Sequence, residues 1–158
     1  MKIEIFGDGL ERSQIKDQPR RTACRGVVVK DGKILVVHSP KLDIYTLPGG
    51  GREANETLAQ CVEREVAEET GVCVKAGPEA CVVIEYFTDS IWESHYFPCA
   101  PTGETVPVAL TEEERKMGCD AAWYDLYDFL ALLESYESTN PYGANILERE
   151  LVGLMNTI

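Results

Sequence analysis

From Leu58 to Val66 apolar residues recur at helical spacing. Projected at 100° per residue, Leu58, Ala59, Val62 and Val66 fall on one stripe. Both ends of this helix are marked. Thr57 followed three residues later by Gln60 predicts a capping box, and Gly71 suits a left-handed C-terminal cap. Elsewhere the period shortens to two. Residues 1–7, with Ile3 and Ile5, predict a short strand. Residues 22–30 predict a partly buried one, thickened by Val27, Val28 and Val29. Asp31-Gly32 is a hairpin turn signal, and residues 33–38 return antiparallel. Residues 45–47 form a short strand leading into a glycine loop, Pro48-Gly49-Gly50-Gly51. Beyond the helix, residues 72–75 start a strand that Gly77-Pro78 breaks. Residues 80–88 and 91–100 pair across Asp89-Ser90, and 101–107 read as a loop. An acidic polar stretch, 111–117, precedes a strand at 121–126. Helices follow at 127–134 and 144–156, the last with Leu147, Leu151 and Leu154 on one side. The pattern predicts one α/β domain over residues 1–158, a mixed sheet covered by helices.

Composition narrows the partners. The net charge of −12 argues against duplex nucleic acid or an anionic membrane as a partner, while leaving a metal-bound nucleotide open. No stretch has the length and apolarity of a membrane span, and the N-terminal residues lack an apolar signal core. The six cysteines show no Cys-x-x-Cys spacing, which predicts free thiols and a reducing, cytoplasmic setting.

The candidate chemistry lies on the helix. Glu65, Glu68 and Glu69 stand at i, i+3 and i+4, on one side and within reach of one another. Glu69 projects inside the apolar stripe, Glu65 at its edge and Glu68 about 80° beyond it. Like charges bordering a core destabilise a bare helix, so a cation is expected between them. Mg²⁺ or Mn²⁺ suits carboxylate oxygens best. The preceding glycines allow a main-chain carbonyl or amide to approach a metal or phosphate closely.

Taken together, Gly50, Glu56, Arg64, Glu65, Val66, Glu68, Glu69, Gly71 and Val72 resemble the signature of the Nudix hydrolases: Gly, five residues, Glu, seven residues, then Arg-Glu-apolar-any-Glu-Glu-any-Gly-apolar. No fixed position is missing. The resemblance implies the Nudix fold, an α/β/α sandwich with a mixed sheet flanked by helices. It also implies metal-dependent hydrolysis of the pyrophosphate bond of a nucleoside diphosphate linked to another moiety. It makes the Gly49 carbonyl a further metal ligand and gives Arg64, projecting away from the metal face, an ion pair with Glu56 that ties loop to helix. A distal glutamate, Glu113 or Glu114, is expected as ligand or base, with Glu65 and Glu68 as alternatives for the base. A Nudix module that binds a nucleotide without cleaving it is the alternative function. Such modules more often lack one of the three glutamates.

Around the signature, Arg21 and Arg25 are candidates to clamp phosphate oxygens, beside Gly50 and Gly51. Among Tyr45, Tyr86, Phe87, Trp92, Tyr96 and Trp123, Tyr45 is the first candidate to stack on a base, because it lies next to the glycine loop. The family's markers for ADP-ribose and dinucleoside polyphosphates are absent or displaced: Phe87 stands where a proline is typical. A small nucleotide substrate and a monomer or homodimer are the expected partners.

Overall fold

The computed structural model describes residues 1–158. Its elements are β1 (Lys2–Phe6), β2 (Arg20–Lys30), β3 (Lys33–Ser39), β4 (Ile44–Thr46), β5 (Gly49–Gly51), α1 (Leu58–Thr70), β6 (Val72–Ala76), β7 (Cys81–Tyr86), β8 (Ile91–Thr105), α2 (Glu112–Lys116), β9 (Asp120–Asp125), α3 (Leu126–Ser135) and α4 (Gly143–Met155). The strands connect in the order β1-β7-β8-β2-β3-β4, with β5 added to β2, β6 to β8 and β9 to β3. The sheet is mixed. β1 runs parallel to β7 and β2 parallel to β8, whereas the hairpins are antiparallel.

Strand alternation divides the interior in two. Cys24, Val28, Leu35, Phe97 and Cys99 point to one face, where Cys61, Val62 and Val66 of α1 cover them. Val27, Ile34, Val36 and Tyr96, their immediate neighbours in sequence, point to the other face. There they meet Phe129 and Leu133 of α3 and Leu147 and Leu154 of α4. This is the helix–sheet–helix layering expected from the sequence. All six cysteines are free, and no helix is long and apolar enough to cross a membrane.

Three local expectations change. The glycine stretch is not a free loop but β5, whose residues pair antiparallel with Ala23, Cys24 and Arg25. Residues 101–105 continue β8 instead of leaving it, because β6 supplies a partner edge and a register shift between Val72 and Val74 absorbs the extra residues. The acidic stretch folds as α2, started by a Thr111–Glu114 capping box.

Asp43 ties the β3–β4 connection to the approach to α4. Its carboxylate accepts hydrogen bonds from the Tyr136 hydroxyl, Thr139 N at 2.7 Å and Thr139 Oγ1 at 2.9 Å. The Thr139 amide, with the Tyr136 and Thr139 hydroxyls, holds this carboxyl below its ordinary range. A depressed folded value means that the stabilisation is present above the unfolded carboxyl's pKa and is lost as pH falls through the folded one. Asp43→Asn tolerates the same positive φ of 54°. It should therefore melt below the wild type at neutral pH, and the gap should close on acidification below about pH 4. Thermal melts of both proteins across that range check it.

Candidate functional site

The site is built on α1, and its caps form as the sequence predicts. Gln60 N donates to Thr57 Oγ1 at 3.1 Å, Thr57 N donates to Gln60 Oε1 at 2.8 Å, and Gly71 closes the helix at φ 74°. With both ends fixed and Val62 and Val66 in the core, the three carboxylates are graded in depth. Glu69 is 8% exposed, and the side chains of Glu65 and Glu68 are 15% and 43% exposed. That order follows the helical projection.

Glu69 Oε1 accepts the N–H of Gly49 at 3.1 Å, which joins α1 to β5. Burial pushes the Glu69 carboxyl up to about 8, against the pull of Arg25 and the Gly49 amide. Burial raises Glu65 as well, opposed by Arg64. The carboxyl of Glu65 packs onto Gly50, where a methyl group would stand 2.5 Å from it. At Gly49 a methyl would land on the Cys24 carbonyl. These two glycines are therefore required for space beside β2 and α1. Gly50→Ala should keep the fold, since the end of a flexible side chain can yield. It should displace the Glu65 carboxylate and cost about tenfold or more in turnover, as a sub-ångström to 1 Å misplacement does. Circular dichroism together with the rate of nucleotide cleavage would test this.

Arg64 departs from expectation. Its fork grips Glu56 through Nε at 3.0 Å and Nη2 at 2.7 Å, and Nη2 also donates to the Gly51 carbonyl at 3.2 Å. Loop and helix are thus tied as the resemblance implies, and Glu56 is held down to about 2, chiefly by Arg64. The guanidinium is not turned away from the acidic face, however. Nη1 reaches Glu65 at 2.7 Å and Glu68 at 3.2 Å, with Glu53 at 3.8 Å. The long stem lets the head swing back over neighbours that the Cα projection separates.

Four carboxylates share this one guanidinium, and Glu69 lies beside them. Such an excess of hard oxygen donors fits a divalent cation of the Mg²⁺ type. As placed, no three acidic side chains converge on a common point. On α2, Glu114 is the residue whose charge bears on both Glu65 and Glu69, although its carboxylate also accepts the Thr111 amide at 2.8 Å. Glu113 instead lines a separate depression with Glu112, Lys116 and Met117.

A cavity of about 660 Å³ opens on the α4 side of the sheet. Arg25 connects it to the acidic cluster. The guanidinium lines the cavity, and its Nη1 lies 3.4 Å from the Leu47 carbonyl and 3.5 Å from that of Gly49. Its buried Nε–H has no partner. The aromatic walls are Phe87, Trp92 and Tyr142. Tyr45 is placed elsewhere than expected. It stacks on His38 at 4.1 Å and meets Tyr124 and Tyr136 edge-on, while its neighbours Ile44 and Thr46 face the cavity. Alternation along β4 turns it away. Tyr96 is core, Tyr86 stacks on Phe6, and Trp123 lies on β9 away from the cavity. Arg21 sits over Trp92 at 4.8 Å and near Gly51, outside the lining.

Four participants escape the sequence reading: Glu85, Tyr142, Arg149 and Glu150. Glu85 and Arg149 form a buried ion pair at 3.5 Å in the cavity wall. Glu150 accepts from Arg149 Nε at 2.8 Å, from the Tyr96 hydroxyl at 3.0 Å and from Leu47 N at 2.6 Å. Glu85 carries the one available signal, a charge inside the apolar run 81–86.

A family profile described as the NUDIX domain matches residues 19–143. Over 77 residues the chain is 46% identical to an NAD-capped RNA hydrolase, NudC, of Photobacterium profundum, covering 47% of this chain and 26% of that protein. Over 85 residues it is 41% identical to an ADP-ribose pyrophosphatase of Methanocaldococcus jannaschii, covering 46% and 50%. The chain thus spans about a quarter of the length of the first relative and half that of the second. Among solved structures, a NUDIX hydrolase from Nitrosomonas europaea superposes with a TM-score of 0.61 at 20% identity, over 86% of this chain and 90% of that one. An ADP-ribose pyrophosphatase from Streptococcus suis gives 0.54 at 19%, over 85% and 89%. At these identities the structures speak for the fold.

Proposed function

Because the chain belongs to the Nudix family, whose enzymes use divalent metal ions, we propose that it hydrolyses the pyrophosphate bond of a nucleoside diphosphate linked to another moiety. A nucleoside triphosphate or a small nucleotide derivative is the substrate class. The observation that carries this reading is Arg25, a guanidinium with an unpaired buried N–H between a cluster of carboxylates and a nucleoside-sized cavity.

Glu65, Glu68 and Glu69, with the carbonyl of Gly49 and Glu114 from α2, would hold Mg²⁺ or Mn²⁺. Bound there, the ion neutralises phosphate charge and makes water a stronger nucleophile. The chain's own residues do the rest. Arg25, which lines the cavity, would offer its guanidinium to a phosphate oxygen, a charge-assisted bond that also orients the diphosphate toward the cavity. Gly51, whose free side meets only the Arg21 guanidinium, leaves room for the diphosphate to lie against the backbone, while the Glu65 carboxylate takes that space at Gly50. Phe87, Trp92 and Tyr142 provide faces for a base or sugar. Arg64, pinned by Glu56 and bonded to the Gly51 carbonyl, keeps α1 and β5 in register. Glu65, Glu68 and Glu114 are the candidates to take the proton from water.

The test is hydrolysis of ATP, dGTP, oxidised dGTP, ADP-ribose, UDP-glucose and diadenosine tetraphosphate, with and without Mg²⁺ or Mn²⁺, products being resolved by chromatography. Metal-dependent cleavage of one of these at the pyrophosphate confirms the reading. Tight binding without turnover would replace it with a nucleotide sensor.

A further inference from the structure

Resting on the reading that Gly49 and Glu69 belong to a hydrolytic centre, we propose that Glu150 of α4 is a positioning residue for it. Through the amide of Leu47, Glu150 sets where the Gly49 carbonyl and amide stand.

Three consecutive residues lead from β4 into β5, and each is tied to a different element. Leu47 N donates to Glu150 Oε2 at 2.6 Å, on α4. The carbonyl of Pro48 accepts from Gly26 N at 2.8 Å, on β2. Gly49 N donates to Glu69 Oε1 at 3.1 Å, on α1. The segment is short, and Pro48 has no N–H to offer, so the tie at Leu47 comes immediately before the site. Of the three anchors, Glu150 is the one on α4, beyond the residues matched by the family profile.

The carboxylate is built to stay in place. Glu150 is 0% exposed. Its Oε1 accepts from Tyr96 Oη at 3.0 Å and from Arg149 Nε at 2.8 Å, with Arg149 Nη2 in ion-pair contact at 2.8 Å, which leaves Oε2 aimed at Leu47. Burial, with Glu150 beside it, pushes the Tyr96 phenol up, so its hydroxyl remains a donor. A buried ion pair of this kind adds little stability over an apolar pair of the same shape, so stability alone is a poor reason for it. Geometry is a better one, since about 1 Å of misplacement at reacting groups costs on the order of a hundredfold in rate. Arg149 also lines the cavity, so the residues that hold the reacting segment and those that receive the nucleoside end share one ion pair.

The experiment compares wild type, Glu150→Gln and Leu154→Ala, using whichever nucleotide of the panel above the wild type cleaves fastest, with Mg²⁺. Leu154 is buried in the same core as Leu47 and forms none of the three hydrogen bonds, so its truncation reports loss of packing without loss of a tie. The expected result is a fall in kcat of about ten- to a hundredfold for Glu150→Gln, with KM changed by less than about threefold. Leu154→Ala should keep its kcat while melting at lower temperature. An unchanged kcat in Glu150→Gln overturns the proposal, as does an equal fall in Leu154→Ala. Should Glu150→Gln not fold, Glu150→Asp keeps the charge beside Arg149 and draws the carboxylate back from the Leu47 amide. Its kcat at saturating substrate then decides, a loss supporting the tie and a wild-type value refuting it. A wild type that cleaves nothing removes the hydrolytic reading and this proposal with it. A wild type that cleaves while Glu150→Gln matches it removes this proposal alone.

Discussion

Glu68→Gln should fold as the wild type does and lose on the order of a hundredfold or more in metal-dependent turnover. The substitution keeps the shape of the side chain and removes its charge. Nearly half of that side chain is exposed, and its one ion pair, to Arg64 at 3.2 Å, leaves Arg64 still gripped by Glu56 and Glu65. An exposed pair contributes about 0–1 kcal/mol, so the melting temperature should move by no more than about 2–4 °C. A large loss of rate beside so small a change in stability can come only from the charge itself. Glu63→Gln is the matched control on the same helix. Glu63 pairs with Lys75 and accepts the amide of Ala76, outside the acidic cluster. Measuring kcat for both at saturating Mg²⁺ separates a lost ligand from a general effect of lowering negative charge. Full activity in Glu68→Gln would remove that residue from the mechanism.

The second large effect is on stability. At an exposed helical position Gly→Ala stabilises by about 1 kcal/mol, and Gly153, inside α4, should show the opposite sign. A methyl there would land on the Tyr96 ring, which is fully buried and fastened through its hydroxyl to Glu150 and the Arg149 carbonyl. Any shift of the ring has to strain or break those hydroxyl bonds. At this separation from a buried ring the overpacking is expected near the upper end of its range, about 3 kcal/mol, which leaves a net cost of about 2 kcal/mol after the helical gain, so Gly153→Ala should lower the melting temperature by about 4–8 °C. Differential scanning calorimetry would read this directly. A rise in melting temperature would mean that the aromatic ring can swing aside.

What the sequence discloses about this molecule follows the range of the forces involved. The caps of α1, the depth order of its three glutamates and the Asp31-Gly32 hairpin depend on residues three or four apart, and all form as read. Nothing local distinguishes the two sides of a three-residue strand such as β4, so nearness to the glycine loop does not reveal that Tyr45 turns toward His38 and away from the cavity. Arg64 departs for a different reason: a Cα projection does not follow a stem long enough to bend back across the helix to Glu65 and Glu68. The cavity is the least legible part. Its wall brings together β2, β4, β7, the β7–β8 turn, β8 and α4, and its polar members meet only through tertiary packing. A lone Glu85 in an apolar run signals that a partner exists, but Arg149 is found only once α4 has docked.

The separation of the interior into two cores carries a thermodynamic consequence. α1 with its carboxylates rests on one core, while the cavity depends on α3 and α4 packed over the other. Cooperative units of a protein open with different free energies, and a sub-global opening that releases α4 would expose Arg149 and dissolve the cavity. The carboxylate-bearing face of α1 would remain folded on its own core. Native-state hydrogen exchange should therefore show amides of α4 exchanging together and earlier than those of α1. The population so opened would keep the acidic face of α1 yet have lost both the cavity and the Glu150 tie to Leu47.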